Sequence, residues 1–348
     1  MTIPIRRLPS RYARVALICC LVLLPAAALP FSSQDAPAEG ASGAAQQAPA
    51  NQGPTLKVNV NVVNVYAVVR DHKRLVPDLG KEDFELTEDD ASQQIKYFSK
   101  QTDTPLTLVL AIDTSPSQGN VLMAEQAAAK QFASQILRPK DAFAVLHFDV
   151  VVELLQDFTE SLSFIDKAID TTQINGGGGG PLPGTFPTTG GATHLYDAVY
   201  LASHDMLRSE IGRKVIILLT DGEDQGSQLT LDQGLQAAQR ADVIIYSILI
   251  ADRRFYARAG LGYGGEGALS KLSNETGGRV FHADNQRNTA DAFNEIANEL
   301  RTQYLLGYTP TNNKADGTFR HIKVRVVKDG HYEVQARRGY YAPSGGSN

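Results

Sequence analysis

The chain has 348 residues, enough for one large domain or two ordinary ones. Its 43% hydrophobic and 20% charged content is that of a globular protein rather than a disordered one. Arg and Lys number 33 against 38 Asp and Glu, and the first 28 residues hold four of the arginines and no acid. The remainder therefore carries 29 basic against 38 acidic residues, a balance of −9 that argues against nucleic acid or an anionic membrane as the main partner.

The amino terminus reads as a signal peptide over 1–28. Arg6, Arg7, Arg11 and Arg14 precede an apolar run from Val15 to Leu24, and small residues follow near Ala28. The run falls short of the ~20 apolar residues a membrane span needs. Cys19 and Cys20 are the two cysteines of the chain, and both sit inside it. Once the signal is removed, disulfides, thiolate catalysis and cysteine zinc sites are all excluded. Residues 29–54 are rich in Ala, Gln, Gly, Pro and Ser, a composition that cannot bury a core, and they are expected to be a disordered linker.

Over 55–104 the pattern is β. Val58, Val60 and Val62 alternate with polar residues, the run continues to Asp71 as one or two strands, and "DFELTED" and "QIKYFS" supply two more. After Pro105 strands alternate with helices. Strand "LTLVLAID" precedes a helix over "VLMAEQAAAKQFASQIL", and "DAFAVLHFD" and "VVELLQDFT" read as a hairpin at a sheet edge. Helix "SFIDKAID", a glycine-rich loop from Gly176 to Gly191 and helix "THLYDAVYLASHDML" come next. Then follow strand "KVIILLTD", helix "LDQGLQAAQRA", strand "VIIYSILIA", helix "EGALSKLSNETG", short strand "GRVFHA" and helix "TADAFNEIANELRTQ". Uniformly apolar strands separated by helices predict an α/β fold, a doubly wound and mostly parallel sheet over 105–303. The segment 304–343 is again β, with "KDG" as a hairpin turn.

The chemistry concentrates at strand ends. Asp113, Ser115 and Ser117 alternate at the carboxyl end of the first α/β strand, where ligands bind in doubly wound sheets. If the backbone stays extended, all three side chains point one way, and Pro116 disfavours helical geometry at Ser115. Three hard oxygens with one charge suit Mg²⁺, Mn²⁺ or Ca²⁺ better than zinc or copper. The competing reading makes Ser117 a helix cap and Asp113 an ordinary polar residue, and these residues alone do not decide between them. Two further sites tip the balance: "VIILLTDGED" opens onto Asp221 from a neighbouring strand, and "GGATHLYDA" places Thr193 at a helix start.

The set Asp-x-Ser-x-Ser, then Thr, then Asp resembles the metal-ion-dependent adhesion site of the von Willebrand factor type A domain, and the likeness covers roughly Pro105 to Gln303. It implies Mg²⁺ (or Mn²⁺/Ca²⁺) held directly by the Ser115 and Ser117 hydroxyls and by Thr193 directly or through water. Asp113 and Asp221 would largely hold coordinating waters. Pro116 within the motif and Ala192 before Thr193 are small departures. The flanks, "VNVVNVYAVVRD" through "YLLGYTP" and "ARRGYYAP", resemble secreted bacterial proteins related to this family. That likeness implies one β-sandwich from which the α/β domain emerges; two independent β appendages are the alternative.

Rival motifs are weaker. "GLGYGG" matches a dinucleotide fingerprint formally, yet Asp252 to Ala259 separate it from its strand. An aspartyl nucleophile at Asp113 would want an acid at position 115, which is Ser, and no Gly-x-Ser-x-Gly elbow occurs. Glu223 and Asp224 read as a solvated loop ahead of a second cation site, and His194 is the histidine placed to meet a partner's acid. No general base stands beside the metal residues, so no enzyme activity is expected. The resulting expectation is a secreted, divalent-cation-dependent, adhesion-type module, periplasmic or at the cell surface, that captures a partner protein's Asp or Glu. The mature chain would not insert in a membrane. The alternative is a structural envelope component in which the ion only stabilises the fold.

Overall fold

The computed structural model describes residues 6–7, 62–100, 104–174, 193–251, 263–283 and 286–344. The expected signal peptide other than Arg6 and Arg7, the linker over 29–54 and the glycine-rich loop over 176–191 lie outside these residues. So do Leu56 to Asn61 and the first half of the "GLGYGG" segment, Gly260 to Gly262.

The amino-terminal strands are β1 (Arg6–Arg7), β2 (Val63–Asp71), β3 (Arg74–Leu75), β4 (Phe84–Glu88), β5 (Ala91–Gln93) and β6 (Ile95–Lys100). Alternation then begins with β7 (Leu106–Asp113), α1 (Leu122–Ile136), β8 (Ala142–Phe148), β9 (Val152–Thr159) and α2 (Leu162–Thr171). It continues through α3 (Leu195–Tyr200), which runs on as a π-helical stretch to Leu207, then β10 (Arg213–Thr220), α4 (Leu231–Arg240) and β11 (Val243–Leu249). After α5 (Glu266–Thr276), β12 (Val280–His282) and α6 (Gln286–Thr302) come β13 (Tyr304–Tyr308), β14 (Phe319–Val326), β15 (Tyr332–Ala336) and β16 (Gly339–Tyr341).

The α/β strands form one sheet in the order β1-β9-β8-β7-β10-β11-β12. Every neighbouring pair is parallel except β8 with β9, the expected hairpin. All eight residues of β7 are buried, because side chains alternate between two covered faces. Leu106, Leu108, Leu110 and Ile112 pack with α1, α2 and α6, while Val109 and Ala111 pack with α3, α4 and α5. Phe132 of α1 stacks on Phe293 of α6 with ring centroids 4.7 Å apart. The chain leaves β7 for β8 on one side and later returns to β10 on the other. The carboxyl end of β7 is thus the point where strand order reverses, the usual place for a ligand in such sheets.

The flanking strands make two antiparallel sheets, β15-β2-β13-β6 with β3 beside β2, and β16-β14-β4-β5. Each sheet mixes strands from before and after the α/β region: β13 lies between β2 and β6, and β14 pairs with β4. The two sheets share one apolar cluster that includes Val65, Val69, Leu86, Tyr304, Leu306 and Ile322. The flanks therefore fold on each other rather than as separate appendages.

The tail departs from expectation at Lys328-Asp329-Gly330. A hairpin would pair the strands on either side, but β14 pairs with β4 and β16 while β15 pairs with β2 in the other sheet. The connection from Val327 to His331 is longer than the two-residue turns that hold hairpin strands in register, and it carries the chain across the shared core instead.

Gln303 alone separates α6 from β13. Its side chain accepts from Arg213 Nη1 at 3.1 Å and donates to the Tyr246 hydroxyl at 3.4 Å. One turn earlier, Glu299 is buried between two guanidiniums: Arg279 Nε donates to it at 2.7 Å, and Arg70 of β2 pairs with it from the β sheets. The last helix is thus bound to the β strands by charge as well as by the chain. Glu299→Ala would leave those two guanidiniums facing each other without their shared anion. Breaking a buried pair of this kind is expected to cost about 2–4 kcal/mol, less than a fully dry pair because Arg279 keeps contact with water. Urea denaturation of the variant against the parent measures it.

Candidate metal centre

β7 ends at Asp113, and Ser115 continues extended with φ −64° and ψ 159°. The expected alternation stops there. Pro116–Gln118 turn as a short 3₁₀ segment, and this turn, not an extended backbone, sets the Ser117 hydroxyl 3.0 Å from that of Ser115. The loop is anchored by Thr114, whose hydroxyl donates to Asp149 Oδ2 at 2.8 Å in the β8–β9 turn. Val121 occupies the cap position of α1 without a side-chain cap bond, so Ser117 does not cap the helix.

Four of the five expected residues are joined by hydrogen bonds. Asp113 Oδ1 accepts from the Ser115 amide at 2.9 Å, and its Oδ2 accepts from the Thr220 hydroxyl of β10 at 2.6 Å. Ser117 Oγ donates to Asp221 Oδ2 at 2.5 Å. Asp221 Oδ1 accepts from the Glu223 amide at 3.1 Å, which closes a tight loop after β10. Gly222 in that loop has φ +82°, and a Cβ there would lie 2.6 Å from the Gly265 carbonyl oxygen, so both conformation and space demand glycine. Thr193 arrives through its backbone: its carbonyl accepts from the Gln225 amide at 2.9 Å, and the next amide, His194, donates to the Asp149 carbonyl at 2.8 Å. All five residues are buried.

The remaining expectations resolve locally. His194 Nδ1 lies 3.8 Å from Asp197 Oδ2. Glu223 accepts from the Gly264 amide, and Asp224 accepts from the Ser227 hydroxyl at 2.5 Å, so both acids bind the loop together. A cleft of about 1380 Å³ opens elsewhere, among Arg70, Arg279, Lys323 and Arg337, and shares no residue with the five. An ion needs far less room, so the volume of that cleft says nothing about this centre.

One acid escaped the sequence reading. Glu125, in the first turn of α1, is 1% exposed, and neither carboxylate oxygen has a hydrogen-bond partner. A signal existed: Leu122, Glu125, Ala128, Ala129 and Phe132 fall on one helical face, so an acid interrupts a stripe that is otherwise apolar.

Burial, and after it the charge of Asp221, pushes Asp113 up to about 7, against the pull of its bonds from Ser115 and Thr220. Burial raises Glu125 well above the usual carboxylate range, and the charges of Asp113 and Asp221 add to it. Asp221 thus acts on both Asp113 and Glu125, and the groups that perturb those two include no cationic side chain. Gln118 Oε1 is a further buried acceptor without a donor on the same loop. Among the described residues no trio of His, Cys, Asp or Glu has the spacing to hold an ion, so an ion here would draw on hydroxyls as well as carboxylates. Buried carboxylates, hard hydroxyl oxygens and the unsatisfied acceptors of Glu125 and Gln118 fit a divalent cation of the Mg²⁺ or Ca²⁺ type.

A family model for the von Willebrand factor type A domain matches residues 108–223, which contain all five residues. An uncharacterised protein of Borreliella burgdorferi is 27% identical over 193 residues, and the match covers 50% of this chain and 52% of that protein. The chain thus spans about half the length of that curated relative. Among solved structures, the proximal thread matrix protein 1 of the mussel byssus, with zinc in its metal-ion-dependent adhesion motif, aligns with a TM-score of 0.46 at 18% identity. That alignment covers 62% of this chain and 50% of the mussel chain. A von Willebrand factor type A protein from Catenulispora acidiphila aligns with a TM-score of 0.44 at 14% identity, over 76% of this chain and 74% of its own.

The raised Asp113 gives a stability signature in chelator. Its unfolded counterpart ionises near pH 4 (about 3.9), so between there and about 7 the folded chain holds the extra proton. Stability is then fully present below that window and falls as pH rises through it, by at most about 1.4 kcal/mol per pH unit. Urea midpoints in EDTA from pH 4.5 to 7.5 should slope downward in the parent and less steeply in Asp113→Asn, where the raised Glu125 still contributes a slope of its own.

Proposed function

Because the chain carries a von Willebrand factor type A domain, we propose that it is a secreted, non-enzymatic module that binds a partner protein through a divalent cation held by Asp113, Ser115, Ser117, Thr193 and Asp221. The observation that carries this reading is the hydrogen-bonded set Asp113–Ser115–Ser117–Asp221, buried at the reversal of strand order. A divalent cation bound there supplies a Lewis-acidic position for a carboxylate. The chain's own residues do the rest. The Ser115 and Ser117 hydroxyls present neutral oxygens, so the cation keeps positive charge for an incoming Asp or Glu. Asp113 and Asp221, already committed to Thr220, Ser117 and backbone amides, orient those hydroxyls and hold water at longer range. Thr193 brings a third hydroxyl from a separate loop.

Secretion, to the periplasm or the cell surface, is part of the same reading and rests on the basic and apolar amino-terminal pattern. No helix among the described residues is long and apolar enough to cross a membrane. Mg²⁺ is the expected cation, with Mn²⁺ or Ca²⁺ as substitutes.

Calorimetric titration with MgCl₂ and MnCl₂ tests the site. Asp113→Ala and Ser115→Ala should each weaken cation binding by at least about tenfold while circular dichroism stays unchanged, since neither residue belongs to the apolar core. Unchanged affinity in both variants defeats the assignment. Partner binding should vanish in EDTA and return with Mg²⁺; binding that persists in EDTA favours a structural envelope role.

A further inference from the structure

Glu125 has no place in the set just described, and its environment is hard to reconcile with a purely structural part. The side chain lies on the buried face of α1 with both oxygens unpartnered. A buried carboxylate is normally satisfied by donors or a cation, because stripping its hydration without replacement is strongly unfavourable. Protonation removes the charge but still leaves both oxygens of Glu125 without a hydrogen-bond partner. The charges that act on it are those of Asp113 and Asp221, so it lies within electrostatic range of both. Gln118, between the motif serines and α1, has its own carbonyl oxygen buried without a donor while its amide leans on Ser117 Oγ at 3.4 Å. Unsatisfied acceptors therefore gather along one short segment, from the motif turn to the first turn of α1.

The missing partners are donors. Water held by a divalent cation is a strong donor, because its lone pairs face the metal and its hydrogens face outward. The described residues contain no acidic trio spaced for shared direct coordination, which assigns Glu125 to an outer position rather than to the ion itself.

We propose that Glu125 is an outer carboxylate of the cation centre, a positioning residue that accepts hydrogen bonds from cation-held water and strengthens divalent-cation binding. This rests on the cation-binding reading above. It also explains why an acid is placed on the face of α1 that otherwise packs Leu122, Ala128, Ala129 and Phe132.

The test compares the full chain with Glu125→Gln and Glu125→Met, the latter a shape-similar apolar replacement should the amide fold poorly. Each is titrated with MgCl₂ and MnCl₂ by calorimetry and melted in EDTA. Loss of an outer partner of a metal site is expected to weaken affinity about 10–100-fold. In EDTA the same variants should melt at or above the parent, because a buried acid with no hydrogen-bond partner has been removed. A merely structural glutamate would give the opposite pair of results. Parent-like affinity in the variants, or a lower melting point in EDTA, overturns the proposal. A parent that binds neither cation overturns the underlying cation reading and this inference with it, whereas binding by the parent and both variants alike removes this inference alone.

Discussion

Two carboxylates, Asp113 and Asp221, lie buried at the carboxyl edge of the sheet, and the charge of Asp221 helps to raise Asp113. The surroundings are organised around that conflict. Charge in a dry site is expensive, and two like charges at short range compound the expense. Thr220, Ser115 and Ser117 reduce it by donating to the acids, yet desolvation still dominates and raises Asp113. The conflict that weakens the metal-free site is what would make it bind a divalent cation, since the same dry walls strengthen attraction as much as repulsion.

Parallel pairing of β7 with β10 makes the conflict possible. The ladder runs from Leu106 opposite Arg213 to Ile112 opposite Leu219, so the next residues, Asp113 and Thr220, stand level at the sheet edge. A continuous apolar strand covered on both faces fixes that register, because each of its side chains has a defined layer to fill. The third loop is set by backbone hydrogen bonds to the β8–β9 turn and to the Asp221 loop. Asp113 and Thr220 end neighbouring strands, and the loops that follow carry Ser115, Ser117 and Asp221.

The same sheet is tied to the flanking strands by hydrogen bonds and an ion pair. Arg213, at the start of β10, grips the end of α6 and Gln303, and Glu299 draws Arg70 from β2 onto that helix. Tyr304, the first residue of β13, is fully buried between the flanking sheets, and its hydroxyl donates to the Val76 carbonyl. A helix end clamped by a shared anion, followed directly by a central strand, leaves little slack between the α/β layers and the β layers.

Local pattern was enough for much of this. The apolar period and the helical stretches specify the α/β class and the succession of its elements along the chain, because a doubly covered parallel sheet requires uniformly apolar strands joined by helices. Asp113 and Asp221 were legible as polar ends of apolar strands, while the grouping of both with Ser115, Ser117 and Thr193 came from the likeness of Asp-x-Ser-x-Ser, Thr and Asp to a known adhesion motif. What the sequence could not supply were relations between distant segments. "KDG" carries a turn signal, but whether a turn joins partners in one sheet or crosses between two depends on strands more than 200 residues away, here β4 and β2. The position of Ser117 depends on a 3₁₀ turn rather than on alternation. Glu125 reads locally as one more charged residue on a helix. Only packing against the sheet buries it, deprives it of water and sets it within range of two other acids, because burial belongs to the assembled layers and not to any one segment of chain.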